Sequence, residues 1–168
     1  MEEGKDWESY FASVVVPMLE TNTGNRALCA WADCSSIFEL AAAGKRLYQI
    51  MDWRLTLGPG ALVSDRAVRS VQVYPLGYPP EMNTRLKRAV VRRNADEFSG
   101  CMTELMAVCQ KEYHDPKEIK ENILIFLWTI VNTAREYMAL EESGLKLQSV
   151  LAEVMNAFTW EKMESILQ

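Results

Sequence analysis

The spacing of apolar and polar positions divides this chain into a mixed front and a helical rear. Between Asp96 and Tyr113, Phe98, Met102, Leu105 and Cys109 recur at three- and four-residue intervals, one stripe of an amphipathic helix. Asp115-Pro116-Lys117-Glu118 reads as a helix start, with Asp115 as N-cap, Pro116 in the first turn and Glu118 placed to return a capping bond. The helix it opens carries Ile119, Ile123, Leu124, Ile125, Phe126, Leu127, Trp128, Ile130 and Val131, and is apolar nearly all round. Such a helix must be enclosed by others or lie at an interface. Glu142-Ser143-Gly144 predicts its close, with Gly144 as C-cap. A further helix holds Leu147, Val150, Leu151, Val154 and Met155. Phe158-Thr159 then turns the chain, with Thr159 capping a last helix through Met163, Ile166 and Leu167.

The front is shorter in its rhythms. Trp7 to Leu19 predicts a helix with Trp7, Tyr10, Phe11, Val14 and Met18 on its apolar side, kinked or ended at Pro17. Thr21-Asn22-Thr23-Gly24-Asn25 reads as a turn cluster. Leu28 to Ala32 has the length of a strand. Ser35 or Ser36 is placed to cap a helix bearing Phe38, Leu40, Ala41, Leu47, Ile50 and Met51, which Gly58-Pro59-Gly60 stops. Ala61-Leu62-Val63 predicts a second strand, and the alternation from Val68 to Tyr74 a third. Next, Leu86, Ala89 and Val90 mark a short helix after Tyr78-Pro79, with a turn at Asn94 before Asp96. The expected fold is mostly α: a helical bundle over 78–168 behind a small α+β portion over 1–77.

The 168 residues suffice for one ordinary domain or two small packed ones. No apolar run reaches the roughly 18 to 20 residues that cross a bilayer. The acidic start, MEEGKDWESY, lacks the basic-then-apolar layout of a secretory signal, so a cytoplasmic setting without membrane contact is the expectation. The net charge is −5, unevenly spread. From residue 95 onward thirteen acids stand against six bases, a net −7, which leaves +2 for the first 94 residues. An acidic helical half repels phosphate, which argues against nucleic acid bound across the whole chain.

Chemistry finds few footholds. Cys29, Cys34, Cys101 and Cys109 form no CxxC pair, and His114 has no second histidine to join it, so no metal site is expected. The cysteines read as buried and reduced. Gly58-Pro59-Gly60 lacks the lysine and hydroxyl of a phosphate loop. Ser35 and Ser36 have no catalytic histidine to serve them, because His114 reads as an exposed residue at a helix boundary. No catalytic residue and no cofactor are expected. Three sets of binding candidates remain. Arg85, Arg88 and Arg92 share a helix face, suited to a phosphate or, more simply, to the acidic helices after Asp96. Trp31, Tyr48, Trp53 and Tyr74 would line a ligand pocket or fill a core. Phe126, Trp128 and Ile130 are interface candidates: Phe126 and Trp128 lie about 200° apart around a helix, so one faces the bundle and the other needs a different cover.

The run from Tyr78 to Asp96, YPPEMNTRLKRAVVRRNAD, resembles a segment of bacterial two-component response regulators with an AraC-type DNA-binding domain. There a degenerate cyclase-like middle region passes into a helical bundle. Asn94-Ala95-Asp96 stands where that family has a Gly-Asp turn, a mild departure because Asn also accepts a left-handed cap. Phe38 to Ala43 and Leu47-Tyr48 fit the helix before the Tyr-Pro connection, and the helices after residue 95 fit the linker bundle. The paired-acid GGDEF pattern of an active cyclase is absent; the chain has no Gly-Gly pair. The resemblance implies a regulatory and oligomerising module, a homodimer whose DNA contact runs through a helix-turn-helix domain outside this chain, with a receiver domain upstream. The alternative, from the residues themselves, is a small-molecule sensor built on the aromatic front half.

Overall fold

The computed structural model describes residues 6–138 and 147–167. The fold is mostly α with a single small sheet among the described residues. The chain forms two compact units, one of residues 1–72 with 158–160 and one of 73–157 with 161–168. The break thus precedes the 77/78 boundary expected above, and the Phe158–Trp160 turn belongs to the first unit.

In the first unit, α1 (Trp7–Tyr10) begins at Asp6, whose carboxylate accepts from the Ser9 amide at 3.0 Å. A π-helical stretch, Phe11–Val15, carries the chain without a break into α2 (Val16–Thr23). Pro17 does not end it; the wider π turn just before it is where the helical ladder adjusts to the missing N–H. The wider π turn also shifts the phase. Trp7, Tyr10, Val14 and Met18, expected inside, are exposed, Phe11 is half-buried, and the buried residue is Val16. The helix runs through the expected turn cluster to Gly24 (φ 66°), with the Thr21 and Thr23 hydroxyls bonded back to the carbonyls of Pro17 and Leu19, both at 2.8 Å.

Strand β1 (Cys29–Trp31) pairs in parallel with β2 (Leu62–Ser64), Cys29 opposite Leu62 and Trp31 opposite Ser64. A parallel pair needs a long crossover. It is supplied by a 3-10 turn (Ile37–Glu39), α3 (Leu40–Ile50), a second 3-10 turn (Met51–Trp53) and α4 (Arg54–Leu57). Phe38 and Leu40, expected on the apolar side, are exposed; Ala43 is buried and Leu47 half-buried. Gly58 (φ 84°) and Gly60 (φ 82°) make the turn into β2. The third strand expected over Val68–Tyr74 does not form. Ser64 caps α5 (Asp65–Ser70) instead, its hydroxyl accepting from the Ala67 amide at 3.0 Å, and that cap outweighs the alternation.

The second unit follows the sequence more closely. Helix α6 (Pro80–Arg92) buries Met82, Leu86 and Ala89. Arg93, not Asn94, takes the left-handed position (φ 51°). Asn94 is extended and caps α7 (Ala95–Lys111), its side chain accepting from the Glu97 amide at 3.1 Å. Leu105 and Cys109 of the predicted stripe are buried, with Phe98 and Met102 half-buried. Asp115 caps α8 (Pro116–Met138) through the Lys117 amide at 2.8 Å. Glu118 returns no bond to that cap; its carboxylate accepts from the Leu76 amide at 2.8 Å and so ties down the preceding loop. The expected close at Glu142-Ser143-Gly144 lies outside the described residues. Helices α9 (Leu147–Met155) and α10 (Trp160–Leu167) bury Val154 and Met163. The core collects on α6, α7 and α8, where Phe98 and Phe126 lie with ring centres 6.0 Å apart.

Candidate functional site

Parallel strands bring their carboxyl ends to the same edge, and in the first unit that edge is hollow. A cavity of about 590 Å³ is lined there by Trp31 at the end of β1 and Asp33 beyond it, Ser64 at the end of β2, Arg46 of α3, and Arg66 and Arg69 of α5. The size falls within the range of small-molecule sites. Its charges are ordered by local bonds. Arg46 Nη2 donates to the Asp33 carbonyl at 2.7 Å, and its Nε lies 3.6 Å from the Asp65 carboxylate. Arg66 pairs with Asp6 at 3.1 Å and with Glu8 at 3.7 Å. Glu8 in turn accepts a short hydrogen bond from the Ser64 hydroxyl. The Ser9 backbone amide, then the Ser9 hydroxyl and Arg66, hold the Asp6 carboxyl down to about 2. The indole N–H of Trp31 is shielded from solvent and has no acceptor among the described residues.

Of the four aromatic candidates, only Trp31 lines this cavity. Its ring sits 5.6 Å from that of Phe11. Tyr48 is largely exposed and meets Phe158 edge-on at 5.7 Å. Trp53 is half-buried, and Tyr74 is part of the second unit. The aromatic cage expected from composition is therefore not assembled around one hollow. The residues that sequence reasoning missed here are charged: Glu8, Asp33 and Arg46 lie far apart in the chain from one another and from Asp65, Arg66 and Arg69 of α5, with no motif that joins them. Only the parallel pairing of β1 with β2 gathers them.

The arginine face on α6 is engaged with α7. Arg85 pairs with Glu104, and Arg88 donates to Glu97, through Nε at 3.0 Å and through a shorter Nη2 bond. The Arg88 hydrogen bond holds the Glu97 carboxyl below its usual range, and both guanidinium groups are shifted upward by their carboxylate partners. Arg92 is exposed. The simpler reading of this set, pairing with the acidic helix that follows, describes Arg85 and Arg88.

His114 is buried, contrary to its expected exposure, and the Tyr74 carbonyl accepts from its Nδ1 at 2.8 Å. The Tyr74 amide donates to the Tyr113 carbonyl at 2.8 Å, so the histidine fastens a loop to the start of α8. Among the described residues no group of three or more His, Cys, Asp or Glu side chains is placed to hold a metal ion. Cys101 and Cys109 are buried as expected, and burial pushes the Cys109 thiol up to about 12. Cys34 is exposed and Cys29 half-buried, which corrects the expectation that all four are interior. Lys120 gave no sequence signal, yet it is buried, its ammonium donating to the Met155 carbonyl at 2.6 Å. Burial likewise raises the Tyr78 phenol to about 12, with a smaller contribution from Cys101, and its hydroxyl has no partner among the described residues.

The interface candidates separate cleanly. Phe126 is buried, Ile130 half-buried, and Trp128 is 43% exposed. A second concavity, of about 330 Å³, runs between α7 and α10, lined by Met102, Met106, Gln110 and Leu167. No helix among the described residues is long and apolar enough to cross a membrane. No known protein family, curated protein or solved structure matches this chain.

Proposed function

We propose that the chain is a regulatory, self-associating module of a bacterial response regulator of the AraC type, working in the cytoplasm and carrying no chemistry of its own. It would pass a signal from a receiver domain to DNA-binding domains elsewhere in the full-length protein. The observation that carries the reading is the outward face of α8. Ile125, Trp128 and Asn132 share that face at three- and four-residue spacing, and none of them is charged. Ile125 is 42% and Trp128 43% exposed, while Phe126 anchors the opposite side of the same helix. Glu121 and Glu136 border this window, so two copies can meet there without the like-charge repulsion that the −7 of the rear half imposes elsewhere. Dimerisation through it would set two DNA-binding heads at the spacing of adjacent half-sites.

The coding sequence beyond Gln168 tests the context. It is expected to continue into two basic helix-turn-helix units, and a stop codon at that point overturns the assignment. This chain alone is expected to give no sequence-selective gel shift at physiological salt, since specific readout needs a recognition element set into a groove. A second reading, a small-molecule sensor, is favoured by the cavity at the strand ends. It is compatible with the first, because a regulator of this kind needs an input.

A further inference from the structure

The cavity at the ends of β1 and β2 carries two charges that no other described residue engages. Arg46 and Arg66 are committed to Asp65, Asp6 and Glu8. Among the described residues, no ion pair or hydrogen bond engages the Arg69 guanidinium or the Asp33 carboxylate, although both line the same hollow. They do not pair with each other. Single unpaired charges on a surface are ordinary. Here one of each sign borders a concavity of ligand size, beside the Trp31 ring.

We propose that this cavity binds a small zwitterion, an α-amino acid with an uncharged side chain, its carboxylate on Arg69 and its ammonium on Asp33. The planar guanidinium fork matches a carboxylate through two parallel hydrogen bonds, and the aspartate forms a charge-assisted bond with an ammonium. The lining holds three arginines (46, 66 and 69) and three acids (Glu8, Asp33 and Asp65), so its formal charges cancel. A zwitterion preserves that balance; a net anion or cation does not. A charged side chain on the ligand would find only groups already paired. Trp31 and Ala32 offer it an apolar wall instead. The proposal rests on the sensor reading and is independent of association through α8.

Titration calorimetry on the full chain tests it, with L-leucine and L-phenylalanine as probes beside N-acetyl-L-leucine, which lacks the ammonium, and L-leucinamide, which lacks the carboxylate. The free amino acids are expected to bind, and each blocked form at least tenfold more weakly. Asp33→Asn and Arg69→Gln should each weaken L-leucine tenfold or more, with unchanged circular dichroism and apo melting temperature. Arg69→Gln should also remove the preference for leucine over leucinamide. Equal binding of the blocked forms, or binding that survives both substitutions, overturns the proposal. Glucose, AMP and inorganic phosphate serve as comparison ligands. If one of them binds, depends on Trp31, and no amino acid does, the zwitterion assignment fails while the sensor reading stands. Silence from every probe at millimolar concentration overturns both.

Discussion

In the first unit the buried set is small, Val16, Ala43, Leu55, Leu62 and Val63, and the longest side chain among its buried residues is that of Arg54. Arg54 donates to the Ala61 carbonyl at 2.9 Å and to the Ala27 carbonyl at 3.3 Å, joining the segments that lead into β2 and β1. Trp160 reaches back from the far end of the chain to the Leu55 carbonyl at 2.8 Å. In the second unit the interior is a longer apolar run, Met82, Leu86, Leu105, Ile119, Ile123 and Phe126, packed beside the buried Lys120. Both units are tied by hydrogen bonds between segments distant in sequence, but the first adds few buried side chains to them, while the second adds the apolar stripes that each helix carries in its own spacing. The difference assigns roles. A polar, sparsely filled unit can keep a charged hollow open, while an apolar bundle gives a long helix a rigid seat from which to present an outer face.

The largest effect is expected in the bundle. Phe126→Ala should cost about 3 to 5 kcal/mol of stability, as truncation of buried aromatics does, and urea denaturation followed by helical circular dichroism measures it. A cost below about 1 kcal/mol would mean that packing does not dominate this unit. Arg54→Met comes next. It strands two carbonyls that an ionised donor now satisfies, an expected loss of about 2 to 3 kcal/mol. Hydrogen exchange should then show lost protection over residues 27–31 and 61–64 and unchanged protection in α7 and α8. Uniform loss across both units would erase the contrast.

What was legible in the sequence follows the same division. The helices of the second unit carry local signals: Asp115 before Pro116, the Phe98-to-Cys109 stripe, the Leu86 and Ala89 pair. Each acts within a turn or two of itself, so each can be read without knowing the fold. The first unit misled where distant or competing bonds decide. The π-helical stretch rotated the Trp7 stripe outward, and the Ser64 cap turned an alternating segment into α5. The charged cavity had no sequence signature at all, because only strand pairing brings Trp31 beside Ser64. The aromatic set was the wrong guide to it, three of its four members standing elsewhere.

A smaller effect is expected from Trp128→Ala, at most about 0.5 to 1 kcal/mol in monomer stability, since the ring is partly solvated and only surface packing is lost. The smallest is electrostatic. The Asp6 carboxyl, held to about 2, should titrate well below an ordinary aspartate in an NMR pH series. A folded value below the unfolded one of about 3.9 means that its contribution to stability is present above pH ~4 and lost as the pH falls toward 2. Ser9→Ala should raise its titration point only in part, because the Ser9 amide, the largest single cause of the lowering, remains. A full return to the ordinary value would shift the credit from the helix cap to the hydroxyl.

The mass of the chain in solution tests the central claim most directly. Sedimentation equilibrium of the full chain across micromolar to hundred-micromolar concentrations is expected to show reversible growth from one chain toward two. Trp128→Ala and Ile125→Ala should each shift that curve toward the monomer at least tenfold in concentration, while leaving the melting temperature of the monomer nearly unchanged. A wild-type chain that stays monomeric throughout, or a dimer indifferent to both substitutions, would contradict an α8 face built for self-association.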